Sequence, residues 1–119
     1  MPEERRRAIR VKSSIFIQYC FDLKSPAKKW DITSVKNLSE TGICIITGRQ
    51  FEASSDIEIR FKLPSRPFDP VDVMGRVVES KESCFGNAYI TRVEFKDLND
   101  DIKKLFHDYI DWIVKNETK

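Results

Sequence analysis

Residues 57 to 64 read Ile-Glu-Ile-Arg-Phe-Lys-Leu-Pro. Ile57, Ile59, Phe61 and Leu63 fall on one parity, and Glu58, Arg60 and Lys62 on the other. A period of two is the signature of a strand with one buried face. Pro64, which has no N–H for a ladder, ends it. The same alternation recurs along most of the chain. Val11, Ile15, Ile17, Tyr19 and Phe21 share a parity against Lys12, Ser14 and Gln18. An extended stretch runs from Trp30 to Asn37, and GICII at 42–46 is short, apolar and β-branched. Val71, Val73, Val77 and Val78 lie in a strand interrupted by Gly75, where a bulge or a close contact is expected. Tyr89, Thr91, Val93 and Phe95 alternate last. Turn formers separate these stretches: KSPAKK, NLSETG, Ser54-Ser55-Asp56, SRPFDP and ESKESCFGN. About six strands at short spacing, with no helix between them, predict a mainly β chain, paired antiparallel in a barrel or a sandwich.

The period changes at the C-terminus. Ile102, Leu105, Phe106, Tyr109, Ile110 and Ile113 recur at the spacing of one helix face. Asn99 is placed to cap that helix, Asp100 and Asp101 suit its positive end, and Lys115 its negative end. The apolar stripe must be covered, either by the mouth of the barrel or by another subunit.

Composition narrows the function. The 21 basic and 19 acidic side chains nearly cancel, which argues against indiscriminate binding of long nucleic acid. No apolar run is long enough for a membrane span, and MPEERRRAIR has no apolar core of a secretory signal. Cys20, Cys44 and Cys84 are odd in number and form no CxxC pair, so free buried thiols in a cytoplasmic protein are expected. His107, the single histidine, falls off the apolar stripe and reads as solvent-facing. One histidine and scattered cysteines are too few for a zinc site. Phosphate-binding glycine loops and nucleophile elbows do not occur. The chain therefore reads as a binding module with no catalytic residues, no metal and no cofactor.

Two segments remain without a structural reason. Arg6-Arg7-Ala8-Ile9-Arg10 is an RxxxR spacing in a leader where Arg5, Arg6, Arg7, Arg10 and Lys12 face only Glu3 and Glu4. Asn37-Leu38-Ser39-Glu40-Thr41-Gly42 is an NxSxxG between two strands. In this order, about thirty residues apart and ahead of a string of strands and a final helix, they resemble the PilZ domain family. Arg6 and Arg10 match its RxxxR. Asn37, Ser39 and Gly42 match its [D/N]xSxxG, with asparagine in place of the commoner aspartate. GRVVE at 75–79 and Val93-Glu94-Phe95 before the helix are further echoes. Arg92 stands where many members have glycine. The resemblance covers about residues 4–115.

The resemblance implies a six-stranded antiparallel β-barrel with a C-terminal α-helix, divided here as a flexible basic arm (1–10), a barrel (11–96) and a helix (97–119). It also implies a receptor for cyclic di-GMP that relays the signal to a downstream protein. The side chains suit that ligand. A guanine Hoogsteen edge presents O6 and N7 to an arginine fork, which can equally pair with phosphate or stack on a purine. Arg6 and Arg10 are the expected guanine and phosphate contacts, carried on an arm that closes over the ligand. Asn37 offers a donor and an acceptor to a base edge. The Ser39 hydroxyl can bond base or phosphate, and Gly42 permits a positive φ and a close backbone approach. For Arg5 and Arg7, further phosphate contacts and plain solvation both stand. Arg92 either adds a cation near the site or points to solvent. The alternatives are a nucleotide-independent interaction module and, less favoured by the even charge, a barrel that binds single-stranded nucleic acid.

Overall fold

The computed structural model describes residues 15–24, 26, 28–64, 66, 68–83 and 86–117. Among these, six strands close into a barrel: β1 (Phe16–Cys20), β2 (Asp31–Leu38), β3 (Gly42–Thr47), β4 (Asp56–Phe61), β5 (Val71–Glu82) and β6 (Tyr89–Lys96). The order around the barrel is β1-β2-β3-β6-β5-β4, every pairing is antiparallel, and β4 returns to pair with β1. Among the described residues one helix, α1 (Asp100–Glu117), follows.

Alternation decides which face goes inside. In β4, Ile57, Ile59 and Phe61 are buried while Asp56 is exposed and Glu58 and Arg60 are partly so. In β5, Val71, Val73 and Val77 turn inward and Asp72, Arg76 and Val78 outward. The interior also holds a polar chain. Buried Thr91 lies 2.9 Å from both the Thr47 and the Ser80 hydroxyl, and Thr47 donates to the Arg49 carbonyl at 2.8 Å. A fully bonded network of this kind can be buried without a desolvation penalty left open.

The helix stripe is covered by the barrel itself. Phe106, Ile110 and Ile113 are buried. The Phe106 ring meets Phe61, at the end of β4, at a centroid distance of 4.8 Å and stacks on Phe95 of β6 at 5.2 Å. Asn99 caps the helix as expected, its Oδ1 accepting the Ile102 N–H at 2.9 Å. No helix among the described residues is long and apolar enough to cross a membrane.

The structure corrects several local expectations. β5 is not interrupted at Gly75; it runs unbroken for twelve residues and into the stretch read as a turn, ending at Glu82. Gly75 is a close-contact position, where a Cβ would overlap the Val93 side chain. The irregularity comes later: Val77 pairs with Val93 and Glu79 with Arg92, leaving Val78 as the extra residue of a bulge. Phe21 lies beyond the end of β1, edge-on to Phe51 with the Arg49 guanidinium over its ring. Val11 and Cys84 lie outside the described residues. Cys20 and Cys44 are buried and form no disulfide among the described residues.

Candidate functional site

The NxSxxG segment forms the end of β2 and the tight connection to β3. Ser39 shapes it. Its Oγ accepts the Gly42 N–H at 3.1 Å and the Thr41 N–H at 3.2 Å, and its own N–H donates to the Gly42 carbonyl at 2.9 Å. The Phe95 N–H donates to the Thr41 carbonyl, which ties the turn to β6. The serine hydroxyl expected to meet a ligand is thus engaged inside the turn, a side chain-to-backbone closure typical of serine. Gly42 also differs in its reason. Its φ is not positive; a Cβ there would overlap the carbonyl oxygen of Val93 on the neighbouring strand β6.

Strand register brings distant residues onto one line. Asn37 pairs with Cys44, Cys44 with Arg92, and Arg92 with Glu79. These four residues form a row across β2, β3, β6 and β5. The next row, Leu38, Ile43, Val93 and Val77, is buried in the core, so the first row faces outward. Register shifts flank it on both sides, with Lys36 extra in β2 and Val78 extra in β5. Bulges of this kind re-aim side chains beside binding sites.

Over this row lies a pocket of about 110 Å³ whose wall includes Asn37, Ser39, Gly42, Cys44, Val78 and Arg92. Four sequence-predicted residues, Asn37, Ser39, Gly42 and Arg92, therefore share one concavity. Arg5, Arg6, Arg7 and Arg10 lie outside the described residues. Thr41, Cys44 and Val78 were not singled out by sequence reasoning. A hint for Val78 was available in the Val77-Val78 pair, since two successive valines break the alternation.

Charge at the rim is organised by Glu79. Its carboxylate accepts Lys81 Nζ at 2.8 Å and Arg92 Nη1 at 3.0 Å. Lys81 first and Arg92 second hold it below the usual carboxylate range. On the other side of the turn, Glu40 meets His107 of α1, Oε2 to Nδ1 at 3.0 Å. That carboxylate, with help from Asp108 and Asp111, holds the imidazole above its ordinary value. The sign follows: a raised histidine pKa makes the contact fully present below about pH 6.5 and lost as pH rises through the raised value. His107 is the single histidine, so its NMR titration is unambiguous. We expect a midpoint above 6.5 in the wild type that falls back in Glu40→Gln; identical midpoints would show that the contact does not form in solution.

Solved structures share this architecture. The Bacillus subtilis inhibitor of motility MotI/DgrA superposes with a TM-score of 0.74 at 13% identity, over 96% of this chain and 52% of that one. The K. pneumonia MrkH–c-di-GMP complex gives 0.68 at 12% identity, over 96% and 55%. The PilZ domain with c-di-GMP of YcgR from Escherichia coli gives 0.67 at 12% identity, over 95% and 94%. The chain thus spans about half the length of MotI and MrkH. Among curated proteins, none matches it in sequence. Its sequence does match the PilZ domain family profile over residues 4–112, and with the closed barrel and the NxSxxG turn in place, the chain belongs to the PilZ domain family.

Proposed function

We propose that this chain is a cyclic di-GMP receptor that acts as an adaptor. The observation that carries the reading is the convergence of Asn37, Gly42 and Arg92 on one outward pocket, reached from three strands. The c-di-GMP-bound MrkH and YcgR structures share the fold and point to the same ligand class. At about 110 Å³, the pocket is smaller than the few hundred Å³ that enclose even a drug-sized ligand. A cyclic dinucleotide would lie on this floor and need cover from elsewhere. Arg6 and Arg10, with Arg5 and Arg7 as additional candidates, supply that cover in this reading. The arm folds down on binding, and the change is passed to a downstream protein.

In this arrangement Asn37 reads a base edge, the arginines take guanine O6 and N7 or phosphate, and Ser39 keeps the turn in shape. Charge-assisted hydrogen bonds contribute about 1.5–3 kcal/mol each. Calorimetry with cyclic di-GMP is therefore expected to show binding by the wild type, weakened by about tenfold to a hundredfold in Arg6→Ala and in Arg10→Ala. The nucleotide should also slow tryptic cleavage of the arginine leader. A wild type that releases no heat would instead leave a nucleotide-independent interaction module.

A further inference from the structure

Arg92 is the described cation in the pocket wall, yet it is already engaged. Its Nη1 donates to Glu79 Oε1 from the neighbouring strand, and Glu79 is not part of the wall. The other carboxylate oxygen, Oε2, belongs to Lys81 at the shorter distance of 2.8 Å. The Arg92 side chain is 43% exposed, so its ion pair is of the weak, exchangeable surface kind. A guanidinium has five N–H donors and Glu79 takes Nη1.

We propose that Glu79 is a built-in competitor for the ligand: it neutralises Arg92 in the unliganded site and yields it to a ligand phosphate while keeping Lys81. The exchange is feasible because neither partner is stranded. Arg92 passes from one anion to another, and the carboxylate retains a cation at hydrogen-bond distance. The bulge at Val78 supports the same motion, since it separates the Glu79–Arg92 pair from the tightly packed Val77–Val93 pair below. Glu79 thereby sets a threshold on affinity and selects for ligands carrying phosphate over neutral purines.

This rests on the cyclic di-GMP reading above, and the test separates the two. Calorimetry with cyclic di-GMP compares wild type, Glu79→Gln, Arg92→Ala and the double variant. Both substitutions are at partly exposed positions, and thermal melts verify folding. Glu79→Gln is expected to bind about two- to fivefold more tightly, and Arg92→Ala about tenfold more weakly. In the Arg92→Ala background, the gain from Glu79→Gln should vanish, because there is no longer a guanidinium to release. Weaker or unchanged binding by Glu79→Gln overturns the proposal. So does a gain that persists without Arg92, which would mark a general field effect. A wild type that binds no nucleotide removes the ligand reading itself.

Discussion

Replacing Phe106 with alanine is expected to lower the free energy of unfolding by about 3–5 kcal/mol. Phe106 is fully buried and forms the contact through which α1 closes the barrel, packed between Phe61 and Phe95. Removing the ring takes away its transfer free energy and leaves a cavity that the two neighbouring rings, both anchored in strands, fill poorly. Small domains have only about 5–15 kcal/mol in total, so the effect is a large share of it. In urea, the midpoint should fall with an unchanged slope. Trp112→Ala is the contrast. That indole is 56% exposed and stacks on Tyr109 at the outer side of the same helix, and its loss should shift stability by about 0.5 kcal/mol. Equal effects from the two variants would mean that the helix does not cap the core.

Strand existence and direction of burial were legible because period two is written into single residues. Ile57, Ile59 and Phe61 could hardly turn elsewhere, and the helix face from Ile102 to Ile113 was as plain. What alternation does not carry is which strand neighbours which. Nothing in GICII states that it lies beside β6, or that β4 returns to β1; those pairings are set by closure of the whole sheet. The site divides the same way. The local part, Asn37 to Gly42, could be read as a motif because six consecutive residues make the turn. Arg92 and Glu79 reach it only through register, thirteen residues apart in sequence and side by side across β5 and β6. The turn-shaping role of Ser39 was not legible in the sequence, for a physical reason. A hydroxyl two and three residues ahead of free N–H groups satisfies them first, and only coordinates display that choice.

Gly42→Ala is expected to lower stability by about 1–3 kcal/mol, in the range of an overpacked core, and to damage ligand binding at the same time. The reason is location. The added Cβ would overlap the Val93 carbonyl oxygen, a backbone atom that cannot rotate away, so β3 and β6 must separate at the end of their ladder. Three features of the site hang on that spacing. The Ser39 Oγ bond to the Gly42 N–H sets the turn, the Phe95 N–H to Thr41 carbonyl bond ties it to β6, and the Cys44–Arg92 pairing sets the distance from Asn37 to the guanidinium. Gly48→Ala provides the control. A Cβ at Gly48 meets open space, and its φ is not positive, so alanine there should be neutral or stabilise by about 0.4–1 kcal/mol through the unfolded chain. Urea melts of both variants, with calorimetry against cyclic di-GMP, check the pair. Should Gly42→Ala melt and bind like the wild type, the close approach of β3 to β6 is not what demands glycine at this position, and the turn owes its shape to Ser39 alone.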